Sequence, residues 1–182
     1  MGGRLAAVSI DLDEVPNYFA LHGLAVPERS GAAGALHAVY EKALPRVAGF
    51  AASHGIPVTL FAIGRDLARP ASAAALRALS DAGHAVENHS YGHRYDLSRL
   101  PRADIARDVL LGAEAIAEAV GRRPTGFRAP GYTVSDALFD VLDTIGVEFD
   151  SSVFPCPPYY AAKALAMAAQ RAQGRGSAAI LD

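Results

Sequence analysis

The chain has 182 residues, of which 51% are hydrophobic, so it has the size of about one domain and can fill a core of its own. Its 17 basic and 19 acidic residues give a formal net charge of −2, which excludes the basic footprint typical of nucleic-acid-binding proteins. No apolar run approaches the ~20 residues that cross a bilayer, and the single cysteine, Cys156, excludes an internal disulfide framework.

We therefore expect a single domain over residues 1–182. The sequence enters its first predicted strand almost at once and leaves no room for a signal peptide, so the expected location is the cytoplasm.

Strand-like and helix-like segments alternate along the first half of the chain. Short apolar runs predict strands, apolar residues at helical spacing predict helices, and Pro and Gly mark boundaries. The predicted elements are a buried strand over Leu5–Asp13, a Pro/Gly-rich loop with Val15–Tyr18 and His22–Leu24, a helix over Ala32–Ser53 with a break at Pro45, a strand over Pro57–Ile63, a helix over Ala71–Ala82 closed by Gly83, and a strand over His84–Asn88.

The second half repeats this alternation. Its apolar residues at helical spacing are expected in the core rather than in a cofactor site. The predicted elements are a helix containing Ile105, Val109, Ala113, Ile116 and Val120, a strand over Thr125–Arg128, a turn over Ala129–Gly131, a helix over Ser135–Ile145 capped by Ser135, a strand over Val147–Asp150, a helix over Tyr159–Gln173 and a strand over Ala178–Leu181.

Repeated β-α units predict a parallel sheet, either open or closed into a barrel. In such folds the functional site lies where the carboxyl ends of the strands lead into loops. The candidate polar residues all follow predicted strands in this way: Asp11 and Asp13, His89 and His93, Arg128, and Asp150.

The two acids and the two histidines together suggest metal-assisted hydrolysis. Residues two apart on a strand share a face, so Asp11 and Asp13 point the same way. Two imidazoles and one carboxylate can hold a divalent cation, which leaves the second carboxylate as general base. Taken alone, the two histidines could equally be surface or helix-capping residues. The Asp-x-Asp pair, taken alone, could equally cap the turn or helix that follows the strand. Their position after separate strands favours the metal site.

Four short segments, in this order, resemble successive motifs of the polysaccharide deacetylase family, the NodB-homology domain of carbohydrate esterase family four. The resemblance runs from the first strand to about Pro155, and it implies an α/β fold, a distorted parallel (β/α) barrel. The segments are Ser9–Asp13, Asn88–His93, Phe127–Gly131 and Phe149–Ser152, and the stretches Gly55–Gly64 and Ala82–His84 are also similar to the family.

The resemblance implies roles for the metal-site residues. Asp11 corresponds to the general base, and Asp13, His89 and His93 correspond to the ligands of a divalent metal. In the family this metal is usually Zn²⁺, although Co²⁺ and other divalent ions suit the same donors.

Further residues are implied around this centre. Arg128 corresponds to the arginine that orients the base, with a structural salt bridge as the alternative, and the backbone N–H of Gly131 would stabilise the oxyanion. Residues expected at the substrate pocket are Pro130, Tyr132, Asp150 and His22, where Asp150 could equally cap the Ser151–Ser152 turn and His22 could be a solvated loop residue.

Two features depart from the usual family pattern. Leu12 separates the acids, which resembles an Asp-x-Asp subgroup whose second acid is still the ligand. No histidine follows His93, whereas the family usually carries a late Leu-x-His motif that supplies the general acid, and about six strands are counted where the family barrel has seven or eight. We therefore expect a barrel incomplete at its C-terminus, with an open edge that favours association into a homo-oligomer.

Several functions fit this pattern. The first is metal-dependent hydrolysis of a non-peptide C–N bond, above all N-deacetylation of an N-acetylated sugar or glycan. A cyclic ureide or imide is the small-amide alternative. A non-haem iron oxygenase uses similar ligands, but these normally lie on antiparallel strands and leave the second acid without a role. A catalytically silent module that binds metal and ligand is the remaining reading.

Overall fold

The computed structural model describes residues 6–25 and 36–174. Within them, five strands form one parallel sheet whose spatial order β1-β2-β3-β4-β5 follows the chain. The strands are β1 (Val8–Asp11), β2 (Val58–Ala62), β3 (Ala85–Asn88), β4 (Gly126–Phe127) and β5 (Phe149–Asp150). Each coincides with a predicted strand, and the predicted strand over Ala178–Leu181 lies outside the described residues.

Helices connect the strands, as parallel pairing requires. The helices are α1 (Val15–Leu21), α2 (Leu44–His54), α3 (Pro70–Asp81), α4 (Arg102–Val120), α5 (Asp136–Thr144) and α6 (Pro157–Ala172). The Ser135 hydroxyl accepts the backbone N–H of Leu138, which confirms Ser135 as the cap of α5.

The strand register brings the carboxyl ends of all five strands to one edge. Asp11 pairs with Phe61, Ala62 with Asn88, and Phe127 with both Asn88 and Asp150. The loops that begin after these residues therefore lie side by side, as the sequence predicted.

Two predictions near the N-terminus need correction. The segment from Val15 is helix α1 rather than loop, because Pro16 stands in the first helical turn, where its missing N–H needs no partner. Strand β1 is an edge strand in the described sheet rather than a buried one, and Val8 is 41% exposed.

The predicted break near Pro45 is confirmed. A π-helical turn over Val39–Ala43 precedes α2, and Pro45 lies in the first turn of that helix. Residues 32–35 of the predicted helix lie outside the described part of the chain.

Helix α4 joins two halves of the core. Its residues Ile116 and Val120 pack in a cluster with β1, β2, α2 and α3, whereas Ile105 and Val109 pack in a second cluster with Phe127 and helix α5. All four side chains are at most 5% exposed, and full burial of such a residue contributes about 1.5–3 kcal/mol. The predicted core face of this helix is confirmed.

A helix that crosses a bilayer needs about 20 predominantly apolar residues. Within residues 6–25 and 36–174, no helix is both long and apolar enough to cross a membrane.

We predict that Gly126→Ala destabilises the fold. A Cβ atom at Gly126 would lie 2.1 Å from Cζ of Phe149, so the added methyl group would force the Phe149 ring out of its position over β4. The expected loss in the free energy of unfolding is about 2 kcal/mol, measured by urea denaturation. Gly49→Ala is the matched control, because Gly49 lies in α2 with nothing within 4 Å of the added Cβ, and there alanine should stabilise by about 0.5–1 kcal/mol. Equal midpoints for the two variants would contradict the packing argument.

Candidate metal centre

Three side chains from two strand ends converge at the carboxyl edge of the sheet. Nε2 of His89 lies 3.4 Å from Oδ1 of Asp13, and Nε2 of His93 lies 3.3 Å from Oδ2 of the same carboxylate. The three potential ligand atoms all lie within 4.8 Å of one another. The structure thus brings together the three residues that the sequence predicted as ligands.

The hydrogen bonding of His89 orients one nitrogen toward the centre. Its Nδ1 lies 2.7 Å from the backbone carbonyl of Arg128, and because a carbonyl can only accept, Nδ1–H is the donor. In the neutral imidazole, Nε2 then carries a lone pair that faces the Asp13 carboxylate. Such a bond from the other ring nitrogen is typical of metal-binding histidines.

Two buried atoms of this group have no hydrogen-bond partner. They are Oδ1 of Asp13 and Nε2 of His93. Leaving a buried polar atom unpaired costs about 1–3 kcal/mol, and a cation between carboxylate and imidazole would satisfy both. The donor set of two nitrogens and one carboxylate oxygen fits a divalent transition metal such as Zn²⁺.

The charges of Asp13 and the two histidines favour one another. Burial alone would raise the pKa of Asp13, but the imidazoles of His89 and His93 outweigh it, and the pKa lies well below its usual range. Burial alone would lower the pKa of His89, but Asp13 outweighs it and raises that pKa. The centre therefore favours an ionised carboxylate and attracts positive charge.

The second carboxylate, Asp11, binds an arginine and not the two histidines. Nη1 of Arg128 donates to Oδ1 of Asp11 at 2.6 Å, and Nη2 donates to the hydroxyl of Ser9 at 2.8 Å. The guanidinium also donates to Ser151, which follows β5, at 2.7 Å to its hydroxyl and 3.1 Å to its carbonyl oxygen. Arg128 is only 7% exposed, so its charge acts on Asp11 with little screening by solvent.

The turn after β4 presents a tyrosine to the other oxygen of Asp11. The hydroxyl of Tyr132 donates to Oδ2 of Asp11 at 3.2 Å. Gly131 and Tyr132 both have positive φ angles, 66° and 59°. A Cβ atom at Gly131 would lie 2.4 Å from the ring of Tyr95, so glycine is required there by both backbone and space.

The remaining predicted residues lie in different surroundings. Pro130 is buried at the start of this turn. Both oxygens of Asp150 accept hydrogen bonds from Ser152, at 2.8 Å from its N–H and 2.7 Å from its hydroxyl, which is the predicted capping alternative. His22 ends α1 and lies 3.3 Å from the side-chain nitrogen of Gln170 in α6.

Sequence reasoning missed an aromatic wall beside the two aspartates. Phe154 stacks on Tyr132 with ring centroids 4.7 Å apart, and Tyr159 meets both rings edge-on. Burial and the charge of Asp13 raise the pKa of Tyr18 to about 12, and its hydroxyl lies 3.5 Å from Oδ2 of Asp13. The only sequence signal was the concentration of tyrosines near the motif residues, which does not say that their rings meet.

We predict that Arg128→Met destabilises the protein by about 3 kcal/mol, because it leaves the Asp11 carboxylate without its cation. The free energy of unfolding at neutral pH is the measurement. Arg102→Met is the control, since its ion pair with Asp140 is more than half exposed on both sides and should contribute less than about 1 kcal/mol. The prediction fails if both variants lose the same small amount.

Comparison with known proteins gives a consistent assignment. The profile of the family described as polysaccharide deacetylase matches residues 35–149. A peptidoglycan deacetylase from Helicobacter pylori is 26% identical over 159 residues, covering 86% of this chain and 52% of that protein. The chain thus spans about half the length of this curated relative.

Solved structures agree on the fold. A candidate polysaccharide deacetylase from Mycobacterium smegmatis superposes with a TM-score of 0.68 at 23% identity, covering 81% of this chain and 50% of that one. A family 4 carbohydrate esterase from Streptomyces lividans, in complex with acetate, superposes with a TM-score of 0.54 at 28% identity. The match covers 60% of this chain and 55% of that one. The predicted α/β fold, a distorted parallel barrel of the NodB-homology type, is confirmed, and the chain belongs to the polysaccharide deacetylase family.

Proposed function

We propose that this chain is a metal-dependent hydrolase that removes an acetyl group from the nitrogen of an N-acetylated sugar or glycan. The observation that carries the proposal is the separation of two neighbouring carboxylates: Asp13 faces His89 and His93, whereas Asp11 is bound by Arg128. One acid is thereby available as a ligand and the other as a base.

Asp13, His89 and His93 would hold the metal, with Zn²⁺ as the proposed ion and Co²⁺ as a substitute. When bound, a divalent ion supplies a Lewis acid that polarises the amide carbonyl and makes water more acidic. The described residues around it contribute orientation. The bond from His89 to the Arg128 carbonyl keeps Nε2 directed at the centre.

Asp11 would take the proton from the attacking water. The guanidinium of Arg128 donates to one oxygen of Asp11 at 2.6 Å and so fixes the orientation of the carboxylate that is to act as base. The hydroxyl of Tyr132 fixes the orientation of its other oxygen. The backbone N–H of Gly131, in the turn beside Asp11, would donate to the oxyanion that forms when water adds to the carbonyl.

A carbohydrate substrate is supported by the relatives and by the aromatic wall. The Helicobacter pylori relative is named a peptidoglycan deacetylase, and the Streptomyces lividans esterase was solved with acetate. The rings of Tyr132, Phe154 and Tyr159 offer an apolar surface on which a sugar ring could pack.

A single domain over residues 1–182, a cytoplasmic location and self-association stay predictions.

We expect His93→Ala to lose the metal and with it all turnover, because the variant retains only two of three ligands. Metal content by elemental analysis of the Zn²⁺-loaded protein is the measurement. His54→Ala, which removes an exposed histidine of α2, should keep full metal content. Unchanged metal in His93→Ala would rule out the assigned site.

Asp11→Asn should separate metal binding from chemistry. The amide keeps the size of the side chain but cannot accept the proton of water, so acetate release from N-acetylglucosamine oligomers should fall by about 10²–10⁴-fold while metal content stays the same. Loss of metal in this variant would instead make Asp11 a ligand. Iron-dependent oxygen uptake by the wild-type protein would favour the oxygenase alternative.

A further inference from the structure

The loop that carries both histidines has a strained backbone. Ser90 and His93 both have positive φ angles, 66° and 52°, although neither is glycine. Residues held in this region cost about 1–3 kcal/mol each in backbone strain and persist only where their surroundings hold them. Within the loop, the Ser90 hydroxyl accepts the backbone N–H of His93 at 2.9 Å. The carbonyls of Ser90 and Tyr91 accept the backbone N–H groups of Gly64 and Arg65 at 2.9 and 3.2 Å, whereas the loop's own amides need another acceptor.

An acid of helix α4 binds the middle of this loop. Oδ1 of Asp108 accepts the backbone N–H of Tyr91 at 2.9 Å, and Oδ2 accepts that of Gly92 at 3.2 Å. These two amides lie between the two histidines in the chain. A carboxylate that accepts two backbone N–H groups forms charge-assisted bonds, which are stronger than neutral ones.

One turn further along α4, a glycine lets the helix backbone touch the same loop. A Cβ atom at Gly112 would lie 2.5 Å from Oδ1 of Asn88, 2.9 Å from the carbonyl carbon of Ser90 and 3.0 Å from the backbone nitrogen of Tyr91. Asn88 in turn donates to the carbonyl of Val109 at 2.8 Å. The helix therefore contacts the loop at its start and its middle, with no room for a side chain between them.

We propose that helix α4 is the template that positions the two histidines, with Asp108 as the positioning residue and Gly112 as the point of close approach. This inference rests on the proposed metal site, but it concerns residues that bind neither metal nor substrate. Asp108 holds the backbone between the ligands, and the spacing of the two Nε2 atoms follows from that backbone.

Asp108→Ala tests this directly. With the acceptor removed, the amides of Tyr91 and Gly92 lose their partner and the strained loop can relax, so Zn²⁺ affinity should fall by about tenfold or more. The measurement is the dissociation constant for Zn²⁺, by competition with a chromophoric chelator. Asp104→Ala is the matched control, because Asp104 lies one turn earlier on α4 and forms an ion pair with the exposed Arg107 at 3.0 Å.

A conservative variant distinguishes positioning from general stability. In Asp108→Asn the side-chain oxygen can still accept from both amides, as Oδ1 of Asp108 does at 2.9 and 3.4 Å, so affinity should return to within a few-fold of wild type. The absorption spectrum of the Co²⁺-loaded protein provides a readout of ligand geometry that a loss of stability alone would not change. We expect an altered spectrum for Asp108→Ala and a wild-type spectrum for Asp108→Asn.

Gly112→Ala approaches the same loop from the helix side. Its methyl group should displace the loop and weaken Zn²⁺ binding, whereas Gly49→Ala should not. The inference is overturned if Asp108→Ala and Gly112→Ala bind Zn²⁺ as tightly as their controls while His93→Ala does not. Failure of the wild-type protein to bind Zn²⁺ is a different result, which would overturn the proposed site and the template together.

Discussion

The Arg128 guanidinium is the interaction on which the geometry of the site depends. It leaves the end of β4 and reaches Ser9 and Asp11 on β1, with strands β2 and β3 between them in the sheet, and it also binds Ser151 just after β5. Its path crosses β2, where its Cζ lies 4.0 Å above the ring of Phe61. A flat sheet would keep β1 and β4 apart, so this contact requires the curvature of a barrel wall.

The same contact gives different partners to two acids at the end of β1, since Asp11 is the last residue of the strand and Asp13 follows it. Asp11 meets a guanidinium, which cannot lose its proton, whereas Asp13 meets two imidazoles, which can exchange a proton for a metal ion. Their different partners therefore give the two carboxylates different chemistry.

The surroundings of the site extend beyond the segment that matches the family profile. Asp11 and Asp13 precede residues 35–149, and helix α6 follows them. From α6, Nζ of Lys163 donates to the carbonyl of Gly131 at 3.3 Å, and Tyr159 packs against Tyr132. The turn proposed to bind the oxyanion is thus supported by a helix whose sequence is outside the matched segment.

Much of this arrangement was determined by the sequence itself. Alternating periods of two and 3.6 predicted the strands and helices, and because parallel strands end at one edge, the residues after them could be expected to meet. The resemblance to a family then supplied roles for Asp11, Asp13, His89 and His93. The helix at Val15 was missed, because Pro reads as a loop signal even though the first helical turn accepts it. The tertiary structure alone decided which partners each acid meets, that Tyr132 forms one wall with Phe154 and Tyr159 from further along the chain, and that Asp108 and Gly112 hold the histidine loop. These contacts join residues far apart in the chain, and their distances depend on how the sheet curves and where each helix packs, which local periodicity does not encode.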